Sequence, residues 1–398
     1  MAASLFTLAG CTIGSSPANV QPTFKRIGPL ITLHLDLYGS PGYQAAGLYA
    51  SYERLHPNIA IVQDVTTSES AYWQTLSGDL ATGRGLGDLV AIPLDQSYAL
   101  THALSLDFVP LNTLGGIAPG VNVFEDSWLP WVWPEATTKT DQTLGIGAEI
   151  EPLAMCFQPG PLARAGISVS SLVTSWKTWQ GYLSVGEQYE AKSPGGPPYA
   201  ASAAALYQAM IGQAREQYYS DTGALVFGHS QAVSSAWATT VQAIQDGLTA
   251  SGGTPVTMPC SPSTLGQLHG QWNLIAAPGG AGDLGGFFLA IPRASQQQSA
   301  AFQLAQYLTS TGAVSLYQSQ DKFPSNLTAI NAVLAAASDP TVTKIFFQAA
   351  DEAPQPVYGP ATDALGQDVT DALGQVQLHA ESAAAAWQAT VAAAARTG

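Results

Sequence analysis

The sequence predicts an α/β protein with two domains, and three observations lead to that prediction. Strand-like and helix-like segments alternate from residue 30 onward, which is typical of a parallel sheet covered by helices. The chain has 398 residues, which is too long for one ordinary hydrophobic core. Apolar residues make up 46% of the sequence, and that share is enough to fill two cores.

Three strand–helix units open the first domain. Their strands cover residues 30–38, 59–65 and 88–94, and their helices cover residues 43–55, 70–83 and 96–105. Ser68 or Ser70 can cap the second helix. Ligands of such sheets bind beyond the carboxyl ends of the strands. Tyr38, Thr66 and Asp95 lie at those ends, so they are candidates for a binding site.

A tryptophan-rich segment follows at residues 115–143. Trp128, Trp131 and Trp133 lie within six residues of one another in a stretch that is also rich in Gly and Pro. Two interpretations are open. The rings can seal a loop onto the core, or they can form a stacking platform for a sugar or another ring.

The segment at residues 144–158 predicts the crossing from the first core to the second. It begins as a strand and continues as an apolar run. Glu149 and Glu151 are two residues apart on this strand, so their side chains point to the same face. Acidic residues at the place where the chain passes from one core to the other indicate a cleft between the two domains. The pair also fits the two acids of a glycosidase, because neighbours on one strand face are about 6 to 7 Å apart, between the retaining and inverting separations.

The second half continues with helices and strands. Helices are predicted over residues 174–191, 199–218, 230–251, 295–310, 341–354, 370–376 and 380–396, and strands over 255–260, 273–278 and 287–292. Gly280, Gly282 and Gly285 match the spacing of a dinucleotide-binding loop, but a strand follows them where that motif requires a helix. A tight turn, at which the backbone comes close to another group, is the better interpretation.

The charge balance excludes nucleic acid as a partner. Acidic residues outnumber basic ones by 28 to 13 and the net charge is −15, so the basic surface that nucleic-acid binding requires is missing. The 13 basic residues are scattered along the chain, which disfavours anionic ligands. The His and Cys residues do not have metal-ligand spacing. We therefore expect no metal and no other cofactor.

The first residues resemble the leader of a bacterial lipoprotein. A short apolar run ends in Leu8, Ala9, Gly10 and Cys11, and in lipoproteins such a Cys is lipidated after cleavage. Residues 1–11 are then the signal with its lipidated Cys11, and residues 12–28 are a flexible tether. No later segment has 18 uncharged apolar residues in a row, so we expect membrane contact only through the lipid anchor.

Two cysteines remain when Cys11 is set aside. Cys156 and Cys260 each lie in or beside a strand-like run. An even pair in an oxidising compartment can form a disulfide. The spacing in sequence cannot show whether the two Cα atoms come within about 7 Å, so two separately buried thiols are the expectation.

Several stretches, in order, resemble the extracellular solute-binding proteins of carbohydrate ABC importers, a family similar to maltose-binding protein. They are YQAAGLYASYERLHPNIAIV, YWQTLSGDLATGRGLGDLVAIPLDQ, LGIGAEIEPLAMCFQPGPLARAGI, TSWKTWQGYL, GGFFLAIPRASQQQSAAFQLAQYLTS and PVYGPATDALGQDVTDAL. The resemblance implies a two-lobed periplasmic-binding-protein-like fold of type II, with the ligand cleft between the lobes. The N-terminal lobe then comprises residues 29–150 plus 288–332, and the C-terminal lobe residues 151–287 plus 333–398.

The resemblance also implies which residues bind the ligand. Asp95 matches an acid that accepts hydrogen bonds from ligand hydroxyl groups, and Glu151 matches the acid at the crossing. Tyr358 matches a stacking aromatic residue, and Gly285 and Gly286 match the place where the backbone nears the ligand. The further candidates are Tyr38, Trp128, Trp131 and Glu149.

Two departures from the family pattern argue against a long maltodextrin. Ile92 and the region of Cys260 and Ser261 stand where maltose-binding protein presents tryptophans, and Leu284 replaces the aromatic residue often found before the glycine pair.

The function implied is that of a receptor and not of an enzyme. A monomer would capture a mono- or oligosaccharide at the extracellular face of the membrane or in the periplasm, and would deliver it to ABC permease subunits. Two alternatives stay open. One is a secreted glycoside-active enzyme that uses Glu149 and Glu151, and the other is a binder of a non-sugar solute such as a glycerophosphodiester or a peptide.

Overall fold

The structure is a computed structural model that describes residues 28–114, 127–250, 252–337 and 340–397. Cys11 and most of the predicted tether lie outside these residues. The strands of the described part are β1 Ile31–Tyr38, β2 Ile59–Thr66, β3 Leu89–Pro93, β4 Gly145–Pro152, β5 Ala154–Phe157, β6 Thr257–Cys260, β7 Asn273–Ala276, β8 Asp283–Ala290 and β9 Phe323–Pro324. Its α-helices are α1 Leu48–Leu55, α2 Glu69–Thr82, α3 Ser97–Thr101, α4 Val132–Glu135, α5 Pro159–Arg164, α6 Val169–Ser175, α7 Trp179–Lys192, α8 Ala203–Ile211, α9 Gln231–Gln245, α10 Pro262–Gln267, α11 Gln298–Thr309, α12 Thr311–Gln320, α13 Leu327–Ala336, α14 Thr341–Asp351, α15 Thr362–Gln377 and α16 Ala383–Ala394.

The first lobe is built on a sheet with the strand order β2-β1-β3-β8-β4-β9. Strands β1, β2 and β3 run parallel, which confirms the prediction from the three strand–helix units. Strand β8 is antiparallel to both of its neighbours, β3 and β4. The sheet is therefore mixed, because a strand from late in the chain is inserted between two early ones.

The second lobe contains a smaller sheet with the strand order β6-β5-β7. Both strand pairs are antiparallel. Helix α15 packs against α8 and α9, and α16 packs against α15. The chain crosses from β4 to β5 at Leu153, as the strand with two acids predicts. It returns through β8, which spans 283–290 and so extends across the boundary predicted between residues 287 and 288.

Local signals explain where the early helices begin. The backbone of Gly47 is left-handed, with φ 69°, a conformation that glycine adopts readily. Helix α1 therefore starts at Leu48 and not at residue 43. The hydroxyl of Ser68 accepts a hydrogen bond of 3.3 Å from the Ala71 N–H, which confirms one of the two predicted caps of α2.

Residues 115–126 of the tryptophan-rich segment lie outside the described residues, and its described part, residues 127–143, packs into the core of the first lobe. Trp128 and Trp131 are each only 5% exposed. The indole N–H of Trp128 donates to the Gly147 carbonyl at 3.1 Å, and that of Trp131 donates to the Ala350 carbonyl at 2.8 Å. These contacts support the interpretation that the rings seal a loop onto the core, and they argue against a stacking platform.

Cys156 and Cys260 form a disulfide, so the expectation of two separate thiols was wrong. Their strands are neighbours in the second sheet, with Ala154 opposite Cys260 and Cys156 opposite Met258. This register places the two Cα atoms 5.8 Å apart, within disulfide reach. Both residues are fully buried.

Candidate functional site

A cavity of about 520 Å³ lies between the lobes. The first lobe contributes the beginning of α2 and the residues after β3. The second lobe contributes the end of α8 and the first two turns of α15, and the beginning of β8 also lines the cavity. Because both lobes line it, a change in the angle between them would open or close it.

Four carboxylates line the cavity. They are Glu69, Asp95, Asp283 and Asp363. Among the described residues that line it, none is Lys, Arg or His. The cavity is therefore acidic on both sides, and the described part of its wall has no basic side chain.

Asp95 follows β3 at the carboxyl end of the strand, where the sequence predicts a binding residue. Its Oδ1 atom is buried and has no hydrogen-bond partner within the described part of the chain. Burial, together with the nearby charges of Glu69 and Asp363, raises the pKa of Asp95 to about 8. An unpaired buried acceptor is costly, so a donor group of a ligand would satisfy it.

Aromatic and amide side chains complete the walls. Trp73 on α2 and Tyr358 before α15 line the cavity from opposite lobes, and both are partly exposed. Burial raises the pKa of Tyr358 well above its ordinary value, with further contributions from nearby carboxylates, so its hydroxyl stays protonated. The amide side chains that line the cavity are Gln96, Gln208, Gln217 and Gln367.

The crossing strands are tied together beside the cavity by Asp283. Its Oδ2 atom accepts a hydrogen bond from the Glu151 N–H at 3.1 Å, and its Oδ1 atom accepts one from the Gly285 N–H at 2.8 Å. The hydroxyl of Tyr38 donates to the Gly286 carbonyl at 3.2 Å. Tyr38 therefore supports the place where β4 and β8 cross between the lobes, which is called the hinge below. It does not itself line the cavity.

The two acids of the crossing strand have structural partners. The Lys322 ammonium forms an ion pair of 2.9 Å with Glu149. The Ser263 hydroxyl donates to the Glu151 carboxylate, at 2.6 and 2.8 Å from its two oxygens. Burial raises the pKa of Glu149 to about 8, Lys322 opposes this shift, and Glu151 adds to it. The two carboxylates are thus neighbours, but neither lines the cavity.

The predicted site residues therefore separate into three groups. Asp95, Tyr358 and the pair Gly285–Gly286 line the cavity. The side chains of Tyr38, Glu149 and Glu151 lie at the hinge, and those of Trp128 and Trp131 lie in the first core.

Sequence reasoning missed Glu69, Trp73 and Asp363. The first two follow the carboxyl end of β2, so the rule for parallel sheets could have found them. Asp363 carries no comparable local signal, because it comes from the second lobe.

The sequence match agrees with this architecture. A model of the bacterial extracellular solute-binding proteins matches residues 38–315, which is more than two thirds of the chain. The chain belongs to this family. Comparison with curated protein sequences gives no match.

Solved structures of solute-binding proteins have the same fold. An extracellular solute-binding protein of family 1 is 26% identical over 92% of this chain and 99% of its own, with a TM-score of 0.80. The sugar-binding protein MalE of Xanthomonas citri is 18% identical over 90% of this chain and 95% of its own, with a TM-score of 0.72. The GacH receptor of Streptomyces glaucescens is 15% identical over 91% and 97%, with a TM-score of 0.71. The predicted two-lobed periplasmic-binding-protein-like fold is confirmed.

Membership of the solute-binding family places the protein in the periplasm or at the extracellular face of the membrane. The disulfide suits such an oxidising compartment. No helix in the described ranges is long and apolar enough to cross a membrane. Nor do those ranges contain a cluster of His, Cys, Asp and Glu that could hold a metal ion.

We expect the protein without ligand to become less stable as the pH rises from about 4 to 8. Asp95 has a pKa of about 8 in the folded protein but about 3.9 in an unfolded chain. The contribution of Asp95 to the free energy of unfolding is therefore fully present below its pKa in the unfolded chain. That contribution is lost as the pH rises through its pKa in the folded protein. Thermal melts should show Asp95→Asn gaining roughly 2 to 4 °C over the wild type at pH 8.

The control for this pH experiment is the exposed Asp351 at the end of α14. Asp351→Asn should reproduce the wild-type dependence of melting temperature on pH. Equal slopes for the wild type and Asp95→Asn would show that Asp95 is ionised in the folded protein, contrary to its raised pKa.

Proposed function

We propose that the protein is the substrate-binding receptor of an ABC transporter for a mono- or oligosaccharide. The observation that carries this proposal is the cavity whose polar and aromatic walls come from both lobes. A ligand that touches both lobes stabilises the closed form, because its contacts are complete only when the cleft is shut. The closed receptor then delivers its ligand to the permease subunits in the membrane.

The chemistry of the walls suits a carbohydrate. Carboxylates accept strong hydrogen bonds from hydroxyl groups, and amide side chains both donate and accept them. The rings of Trp73 and Tyr358 offer apolar faces for the C–H face of a sugar. A volume of about 520 Å³ falls within the usual range of ligand pockets, about 300 to 1,000 Å³.

Structural relatives support a sugar as the ligand. MalE of Xanthomonas citri is a sugar-binding protein. A solute-binding protein of Thermotoga lettingae holds alpha-D-tagatose, and GacH binds acarbose. We extend this ligand class to the present chain as part of the proposal.

The two alternatives from the sequence receive less support. An enzyme that uses Glu149 and Glu151 would need them in the cavity, whereas one is ion-paired to Lys322 and the other accepts from Ser263. A glycerophosphodiester would need a cation for its phosphate, and the described cavity wall offers none. A peptide belongs in the same binding screen as the sugars. Cys11 as the lipid anchor and a monomeric state remain part of the proposal.

We expect Asp95→Asn to weaken saccharide binding by about 10- to 100-fold. Asp95 is ionised when the pH is above its pKa of about 8, so the comparison is made there. A hydrogen bond to a charged group contributes about 1.5 to 3 kcal/mol, and each 1.4 kcal/mol is about a factor of ten in affinity. A thermal-shift screen of a broad saccharide panel identifies the ligand, and titration calorimetry then compares the variants.

The matched control is again Asp351→Asn, which removes an exposed carboxylate that does not line the cavity and should leave the affinity unchanged. If no saccharide shifts the melting temperature or gives a calorimetric heat, the proposed function fails. If a saccharide binds equally well to Asp95→Asn, only the role of Asp95 is removed.

A further inference from the structure

The cavity contains more negative charge than a neutral ligand requires. Its four carboxylates have no basic counterpart in the described wall. Two basic side chains of the described structure form ion pairs outside the cavity wall. Lys322 is paired with Glu149, and Arg215 is paired with Asp221 at 2.8 Å. Neither basic side chain lines the cavity, so no cation of the described wall balances its carboxyl groups.

Three of these carboxylates line the cavity from the two lobes. Glu69 lies in the first turn of α2 and Asp95 follows β3, both on the first lobe. Asp363 lies in the first turn of α15 on the second lobe. The charge of Asp363 contributes to raising the pKa of both of the others. The helix dipole favours a carboxylate in the first turn, but it does not remove repulsion between lobes.

A second, independent observation points to a donor from the ligand. The buried Oδ1 atom of Asp95 has no hydrogen-bond partner in the described structure. Buried polar groups in native proteins are almost always hydrogen-bonded, so this acceptor calls for a partner from outside the chain. At this position the complementary group is a hydrogen-bond donor, and the surrounding charge favours a donor that is positive.

We infer that the ligand is an aminosaccharide whose protonated amine lies among Glu69, Asp95 and Asp363. This inference rests on the proposed function, because it specifies the class of saccharide that the same cavity takes. An ammonium group donates charge-assisted hydrogen bonds, which are about twice as strong as neutral ones. It also offsets the repulsion that closure produces when it brings carboxylates from the two lobes together. A neutral sugar can satisfy Asp95 but leaves that repulsion in place.

The raised pKa values of the site agree with this picture. Burial and the charge of Asp363 raise the pKa of Glu69, and burial raises that of Asp95 with help from both neighbours. In the absence of a ligand cation, the site relieves its repulsion by holding protons. A bound ammonium would take over that role.

The test uses sets of saccharides that differ only at carbon 2. One set is glucose, glucosamine and N-acetylglucosamine, and the other is cellobiose, the glucosamine dimer and the N-acetylglucosamine dimer. Calorimetry at pH 7 should show the amino member of at least one set binding tenfold or more tightly than both of its partners. The acetylated member separates the effect of charge from the effect of size, because it has the nitrogen without the charge.

Variants of the wall assign the effect to the carboxylates. Asp363→Asn should reduce the ratio of the affinity for the amino member to the affinity for its neutral partner by about tenfold, which corresponds to about 1.4 kcal/mol. Asp368→Asn is the matched control, because Asp368 is an exposed acid on the same helix and does not line the cavity. If Asp363→Asn fails to fold, Glu69→Gln tests the same charge from the other lobe.

The outcomes separate this inference from the proposed function. Neutral members that bind as tightly as their amino partners would overturn the inference and leave the saccharide receptor intact. An amino preference that persists in both Asp363→Asn and Glu69→Gln would overturn the assignment to these carboxylates. Binding of spermidine, with no saccharide bound, would overturn both the aminosaccharide and the proposed function.

Discussion

Replacing Gly286 by alanine should destabilise the protein by about 3 kcal/mol or more and weaken ligand binding. Gly286 lies on β8 opposite Ile150 of the crossing strand, with φ 138°. An L-residue in that conformation costs about 1 to 3 kcal/mol. The added Cβ would also collide with the Glu149 backbone carbonyl, and a backbone atom cannot move aside as the end of a side chain can.

The adjacent glycine is the control for this substitution. Gly285 has a similar φ of 142°, but a Cβ at this position would meet no atom within 4 Å. Gly285→Ala therefore carries the conformational strain without the collision. Denaturant unfolding should show the greater loss for Gly286→Ala. Equal losses of the free energy of unfolding in the two variants would mean that the backbone of β4 and β8 moves to accept the extra carbon. The close packing of these strands would then not exclude a side chain at Gly286.

Removal of the Cys156–Cys260 disulfide should cost about 2 to 5 kcal/mol. The two cysteines are 104 residues apart in sequence. A crosslink that closes a loop of about 100 residues restricts the unfolded chain by roughly 4.7 kcal/mol in the loop-entropy model. The bond also ties β5 to β6 in the second lobe, so its loss should weaken that lobe first.

The double variant Cys156→Ala/Cys260→Ala tests this expectation by chemical unfolding. Dithiothreitol supplies the internal control, since it should lower the stability of the unfolded-and-refolded wild type to near that of the variant while leaving the variant unchanged. A double variant as stable as the oxidised wild type would contradict the expected contribution of the disulfide.

Local patterns were enough to predict much of the first lobe. The period of apolar residues located β1, β2, β3 and α2, because a strand or helix pattern depends on residues close together in sequence. The rule that ligands bind at the carboxyl ends of parallel strands selected Asp95. The start of α1 was missed because the left-handed backbone at Gly47 interrupts an apolar pattern that continues on both sides.

The lining of the cavity was predicted only in part. The resemblance to a family supplied Tyr358 and the glycine pair, which line the cavity. It also suggested Glu151, which accepts a hydrogen bond from Ser263 beside the hinge. A motif shared with a family predicts the order of strands and helices more reliably than it predicts the contacts of one side chain. Those contacts depend on neighbours from distant parts of the chain.

The sequence by itself determined the α/β class, the early strand–helix units, the crossing at the acid-bearing strand and the acidic character of the protein. Only the tertiary structure decided that Cys156 and Cys260 pair, that Lys322 lies against Glu149, and that α2 and α15 line the same cavity. The physical reason is the same in each case. Alternation, capping and composition act within a few residues, whereas these contacts join segments separated by about a hundred residues or more, and the topology of the fold alone brings them together.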